Sequence, residues 1–94
     1  MIKNLKNNIK VDKDVVFTQL SKSEAVLLHI GTKKYFSLNE TGIFLWKFAE
    51  KGTSINDLIS KIKEDYKVSN KVATESVNDF VVELISEKLI NIED

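Results

Sequence analysis

The spacing of apolar and polar residues changes near residue 39, and the change predicts strands first and helices afterwards. Residues 15–20 and 24–30 are rich in β-branched and other apolar residues, which is typical of strands, and residues 33–38 alternate with a period of two. Gly31 and Thr32 fit a two-residue hairpin turn, because glycine at the first position tolerates a positive φ. We therefore expect a three-stranded antiparallel meander whose first and third strands form its edges.

Helical spacing follows from residue 40. Asn39 can accept a hydrogen bond from the free donors of a first helical turn, and Gly52 is a typical stop, so we predict the first helix over residues 40–51. Start signals at residues 53–57 predict a second helix, whose apolar stripe consists of Leu58, Ile59, Ile62 and Tyr66. Residues 68–70 separate it from a third helix, which we expect to continue to about residue 88. Its broader stripe consists of Ala73, Val77, Phe80, Val81, Leu84 and Ile85, widened by Val72 and Val82. Residues 89–92 predict a short closing strand.

These elements predict one α+β domain over residues 15–94, in which a three-stranded antiparallel sheet is followed by three helices. A chain of 94 residues has room for a single modest core, and no Pro, Gly-rich linker or repeat divides it. The second and third helices also form a helix-turn-helix pair. Residues 1–14 mix scattered apolar residues with Lys and Asn without a clear period, so we expect a flexible or loosely docked arm.

The residue types needed for catalysis or metal binding are scarce. The chain has no cysteine, and its one histidine, His29, lies in a predicted strand, where a structural role is expected rather than ligation. The three glycines, at positions 31, 42 and 52, are isolated and form no phosphate-binding loop. We therefore expect no enzyme activity, no metal and no cofactor. The longest apolar run is far short of the ~20 residues of a membrane span, and no signal segment is evident, so a cytoplasmic location without membrane contact is expected.

The charge sums to zero but is uneven, because residues 70–94 hold two lysines against six acidic residues. Within the third predicted helix, acidic residues recur every four positions and consist of Glu75, Asp79, Glu83 and Glu87. Such a stripe is typical of a solvated helix face, and the alternative is a binding surface for a cation or a basic peptide.

The strand-to-helix junction resembles the PqqD-like family, whose members often have a Tyr-Phe-x-Leu-Asn-x-x-Gly run before a helix that contains an aromatic residue. The corresponding run here is Tyr35-Phe36-Ser37-Leu38-Asn39-Glu40-Thr41-Gly42, with Trp46 four residues later. The resemblance extends over about residues 15–92. It implies a winged helix-turn-helix domain that acts as a recognition element for ribosomally synthesised, post-translationally modified peptides.

In relatives, the leader region of a precursor peptide adds as a strand to the third strand and lies beside the third helix. The resemblance therefore implies a peptide-binding site that consists of Lys33, Lys34, Tyr35, Phe36, Ser37, Leu38, Val77, Phe80, Val81, Leu84 and Ile85. The partners implied are a leader peptide and a modifying enzyme or leader protease, in a pathway of the lasso-peptide or radical-SAM type. The absence of arginine and of a Pro-rich beginning distinguishes the chain from the quinone-pathway members and favours a standalone recognition protein.

General physical reasoning supports the same site. An exposed edge strand offers backbone groups to an extended peptide, and Lys33 and Lys34 discourage self-pairing and could attract an acidic leader. Phe36 and Leu38 are also candidates for the core, and the wide stripe of the third helix fits either a groove or simple burial. The rival functions are a winged-helix DNA-binding regulator, which the acidic third helix disfavours, and a regulatory subunit that binds a partner enzyme without a peptide.

Overall fold

The computed structural model describes residues 8–93. Its strands and helices are, in chain order, β1 (Asn8–Val11), β2 (Val15–Gln19), β3 (Ala25–His29), β4 (Lys34–Leu38), α1 (Glu40–Lys51), β5 (Thr53–Ser54), α2 (Ile55–Tyr66), α3 (Asn70–Ser86) and β6 (Ile90–Glu93). The expected α+β fold, with a three-stranded antiparallel sheet followed by three helices, is confirmed. Among the helices of the described part, none is long and apolar enough to cross a membrane.

Strands β2, β3 and β4 form an antiparallel sheet in that order, which we call the meander sheet. Leu27 of the central strand pairs with Phe17 on one side and with Phe36 on the other. Alternation places Ala25, Leu27 and His29 on the buried face, while Val26 and Leu28 are half-buried on the opposite face. The meander sheet therefore covers the core with one face.

The turn between β3 and β4 differs from the predicted two-residue hairpin. His29 pairs with Lys34, so the loop contains four residues, and the backbone N–H of Lys33 donates to the carbonyl of His29 at 2.7 Å. Lys33, with a φ of 62°, adopts the left-handed conformation in place of Gly31. A Cβ on Gly31 would lie 3.0 Å from Cε1 of His29, so a larger residue there would require the imidazole to shift.

A second sheet, in the order β5-β1-β6, was not expected, and we call it the terminal sheet. Ile9 of β1 pairs with Thr53 of β5 and with Ile92 of β6, and it is only 2% exposed. Within the stretch that we expected to be a flexible or loosely docked arm, Asn8–Val11 is thus a central strand with a buried side chain. The remainder of that expectation, for residues 1–7, lies outside the described residues.

Each helix begins at a capping side chain. Asn39 accepts a hydrogen bond through Oδ1 from the N–H of Gly42 at 2.8 Å, which confirms the predicted cap of α1. Ser54 and Ser69 cap α2 and α3 through their hydroxyl oxygens. Gly52 ends α1 with a φ of 85° and donates its N–H to the carbonyl of Ala49.

One core lies between the two sheets and the three helices, with buried side chains from β1, β3, β4, β6 and every helix. Strand β2 packs against it through the half-buried Val15 and Phe17. The largest fully buried side chains are those of Trp46, Ile9, Leu27, Leu45, Ile55, Leu58, Leu84, Leu89, Ile90, Val77 and Val81. The third helix ends at Ser86, two residues before the predicted end, because the chain reverses at Lys88, which has a φ of 63°. The closing strand β6 follows as expected.

Candidate functional site

Strand β4 has an unpaired outer edge. It pairs with β3 on one side, and no strand within residues 8–93 pairs with it on the other. Alternate residues of such an edge direct their backbone N–H and C=O groups outwards, where a further extended chain can bind them. The described part of the N-terminal segment joins the terminal sheet and leaves this edge open.

A groove runs beside this edge, between β4 and α3, with a volume of about 600 Å³. Residues from β4, α3, the start of α1 and the β2–β3 turn line it. They are Ser23, Glu24, Phe36, Ser37, Leu38, Asn39, Thr41, Gly42, Leu45, Ser76, Asp79, Phe80, Glu83 and Leu84. The unpaired backbone groups and a partly apolar depression are therefore adjacent.

Helical geometry explains which face of α3 lines the groove. Ser76, Phe80, Glu83 and Leu84 follow the spacing of positions on one side of a helix, and Asp79 lies at the margin of the same side. Phe80 and Leu84 are almost completely buried and form its apolar base, whereas Asp79 and Glu83 are exposed. The helix thus supplies an apolar base and an acidic rim.

The opposite wall comes from the strand-to-helix junction. Phe36 and Leu38 point towards the core side of the meander sheet, because they pair with the buried Leu27 and Ala25. Gly42, in the first turn of α1, packs so closely on Leu38 that a Cβ would lie 3.0 Å from Leu38 Cδ2. The Asn39 cap holds this turn in place, so the wall is fixed by local contacts.

Among the described residues, the charged ones that line the groove are all acidic and consist of Glu24, Asp79 and Glu83. Residues 8–93 contain no group of three or more side chains that could hold a metal ion. The carboxylates are therefore spread along the groove instead of converging on one point.

The structure brings together five of the residues that the resemblance implied, which are Phe36, Ser37, Leu38, Phe80 and Leu84. Lys33, Lys34 and Tyr35 lie at the beginning of β4, outside the groove lining. Tyr35 is 72% exposed and pairs with Leu28, which places it on the outer face of the meander sheet.

The other three residues that the resemblance implied lie outside the groove lining. Val77 and Val81 are 0% exposed and belong to the core. Ile85 is 38% exposed but outside the groove lining, because the next position after Leu84 is rotated by about 100° around the helix. The sequence expectation missed Ser76, Asp79 and Glu83, although their spacing from Phe80 is the signal that could have identified them.

His29 fixes the loop that precedes β4. Its Nδ1 accepts a hydrogen bond from the N–H of Thr32 at 3.2 Å, and its Nε2 lies 3.7 Å from Oδ1 of Asp12. Asp12 in turn accepts a hydrogen bond from the N–H of Asp14. The imidazole therefore has the structural contacts expected from the sequence and connects the β1–β2 loop to the β3–β4 loop.

The fold and the groove define a small α+β domain with an open strand edge beside a helix. Residues 24–90 match the model of the family described as coenzyme PQQ synthesis protein D (PqqD). Because this match covers well over half of the chain, the protein belongs to the PqqD family.

Two solved structures are similar to the chain. One is described as TbiB1 in complex with the TbiA(beta) leader peptide, with a TM-score of 0.80 and 28% identity over 87% of this chain and 94% of that one. The other is a lasso peptide synthetase B1 complexed with the leader peptide, with a TM-score of 0.77 and 19% identity over 88% of this chain and 96% of that one. The second match shows the shared fold alone. No curated protein matches the sequence.

Proposed function

We propose that the protein is a non-catalytic recognition element that binds the leader region of a ribosomally made precursor peptide by strand addition to β4. The observation that carries the proposal is the groove of about 600 Å³ beside an edge strand that no other strand of residues 8–93 pairs with. The similar TbiB1 structure, which contains a leader peptide, supports this choice of ligand.

The strand edge and the groove make different contributions to peptide binding. Backbone groups of β4 give hydrogen bonds to any extended peptide, whereas side-chain pockets discriminate between sequences. The half-buried Phe36 offers most of the apolar contact for an anchor side chain of the peptide, and the nearly buried Leu38, Phe80 and Leu84 complete the apolar lining. A few hydrogen bonds of about 1 kcal/mol each and such anchors correspond to a dissociation constant on the order of micromolar or somewhat tighter.

A recognition element serves the enzyme that acts on the bound precursor, so the second partner in the proposal is a modifying enzyme or leader protease. The likeness to leader-bound TbiB1 supports a pathway that uses a leader peptide, and we propose one of the lasso-peptide type. We also propose a cytoplasmic role, since precursor peptides are ribosomal products. The protein itself would bind and present the peptide, since the groove is lined by backbone, apolar, hydroxyl, amide and carboxylate groups without a nucleophile paired to a base.

The rival function in DNA binding meets an electrostatic obstacle at α3. That helix exposes Glu75, Asp79 and Glu83, and its first turn contributes only Lys71 as a cation. Since neutralisation of phosphates supplies much of the affinity for DNA, an acidic helix is a poor reader of the major groove.

A titration of ¹⁵N-labelled protein tests the proposal. The probes are synthetic peptides that correspond to the N-terminal halves of short open reading frames beside its gene. We expect one of them to shift the amide resonances of Lys34–Leu38 and of Phe80, Glu83 and Leu84. Shifts confined to other parts of the protein, for every probe, would refute strand addition at β4.

A pair of matched variants tests the groove itself. Ser76→Leu places a larger side chain in the groove, whereas Ser60→Leu makes the same change on an exposed position of α2. We expect the first to weaken peptide binding about tenfold or more and the second to leave it unchanged. Equal affinities for the two variants would contradict the proposed site.

A further inference from the structure

We infer that the groove selects leader peptides with a basic side chain next to their apolar anchors, a specificity that rests on the proposed function. The carboxylates of Glu24, Asp79 and Glu83 line the groove together with Phe36, Phe80 and other apolar residues, and no lysine of residues 8–93 lines it. An anchor that enters the groove therefore brings its neighbouring side chains close to a lining whose described charges are negative.

No lysine of residues 8–93 forms an ion pair with these carboxylates. Within residues 8–93, the single pair at salt-bridge distance joins His29 to Asp12, and it lies outside the groove lining. The lysines nearest to the groove along the chain include Lys22, which is adjacent to a lining residue, and Lys34, which is two residues from one, but neither belongs to the described lining. Both are exposed, so solvent and salt weaken their effect on the carboxylates of the groove.

The structure divides the acidic stripe of α3 into two pairs. Asp79 and Glu83 line the groove, whereas Glu75 and Glu87 lie outside its lining. If the stripe were only a solvated helix face, there would be no reason for two of its residues to line the groove. If it were a metal site, the carboxylates would converge on one point. Because residues 8–93 hold no convergent group of three metal-ligating side chains, a cationic side chain on an extended peptide is the complementary occupant.

The division also provides a matched control. Asp79→Lys/Glu83→Lys and Glu75→Lys/Glu87→Lys change the net charge of the protein equally and act on the same helix or its cap. Only the first pair changes the groove. A difference between the two variants therefore reports local charge complementarity and not the overall charge.

The probe is a displayed library of random dodecapeptides, selected against the wild-type protein and against both variants after thermal unfolding has shown that each is folded. Wild type and the Glu75/Glu87 variant should enrich peptides with Lys or Arg beside apolar residues several-fold over the library. The Asp79/Glu83 variant should lose this enrichment. If the lysines prevent folding, Asp79→Asn/Glu83→Gln and Glu75→Gln/Glu87→Gln form the equivalent neutral pairs.

One enriched peptide is then synthesised with its basic residue and with Glu in its place. We expect the Glu version to bind wild type about tenfold more weakly and the Asp79/Glu83 lysine variant more tightly, with both differences reduced at high salt. Enriched peptides that shift the β4 resonances but carry neutral or acidic residues would overturn the charge inference and leave the proposed function standing. Enriched peptides that never shift β4 or α3 would overturn the proposed function, and the inference with it.

Discussion

Gly42 of α1 packs against Leu38 of β4 so closely that a Cβ at position 42 would lie 3.0 Å from Cδ2 of the leucine. Both residues line the groove, and Leu38 is also 5% exposed and part of the core. The width of the groove at this point therefore depends on the absence of a single methyl group.

Gly42→Ala tests this dependence. Alanine favours the helix by up to about 1 kcal/mol, whereas its methyl group requires Leu38 to shift slightly, so we expect the free energy of unfolding to change by less than about 1 kcal/mol. Peptide affinity should nevertheless fall, because the displaced side chain of Leu38 occupies part of the groove. Denaturant unfolding and calorimetric titration measure the two effects. Unchanged affinity with unchanged stability would show that the peptide does not use this end of the groove.

Asn39→Ala removes the cap that positions the first turn of α1. The carboxamide oxygen accepts the N–H of Gly42 at 2.8 Å, and its loss should lower the free energy of unfolding by about 1 kcal/mol. Asn39→Asp is the control, because a carboxylate accepts the same hydrogen bond and is favoured beside the positive end of the helix dipole. Urea denaturation of both variants measures the difference, and an equal loss of stability in the two would contradict the capping role.

Phe36→Asp separates core packing from ligand contact. Phe36 is half-buried against the core, so a carboxylate there should lower the free energy of unfolding by about 2 to 4 kcal/mol. Tyr35→Asp, on the exposed face of the same strand, should cost less than about 1 kcal/mol. Thermal unfolding followed through the single tryptophan measures both. A Phe36→Asp protein that melts like wild type but binds peptide weakly would instead place this ring mainly against the ligand.

Ile9→Ala tests whether β1 is an integral part of the domain. Its side chain is buried in the terminal sheet, and truncation should lower the free energy of unfolding by about 2 to 4 kcal/mol. Lys10→Ala, at the adjacent exposed position, should have an effect within about 0.5 kcal/mol. If both variants unfold at the same urea concentration as wild type, β1 contributes little to stability.

Local signals were sufficient to predict the meander sheet, the three helices and the cap at Asn39. They were insufficient for β1, since Asn8–Val11 is too short to show a clear period and its partners β5 and β6 are distant in sequence. The prediction of a two-residue hairpin turn was wrong, because Lys33, and not Gly31, adopts the left-handed conformation.

The residues of the candidate site could also be predicted only in part from the sequence. The family resemblance indicated β4 and α3, but helical periodicity alone could not distinguish core residues from groove residues. Val77 and Phe80 share the apolar stripe, yet only Phe80 reaches the groove. The position of the neighbouring strand decides this, and it also decides that Asp79 and Glu83 line the groove while Glu75 does not.

The terminal sheet has a consequence for the order in which the protein folds. The hairpins of the meander sheet join neighbouring segments and can close while the chain is still being synthesised. Strand β1 can pair with β6 only after more than eighty further residues, because the partner of Ile9 in β6 is Ile92. Until β6 is in place, Thr53 of β5 is the one described strand partner that Ile9 can have, and the terminal sheet is incomplete.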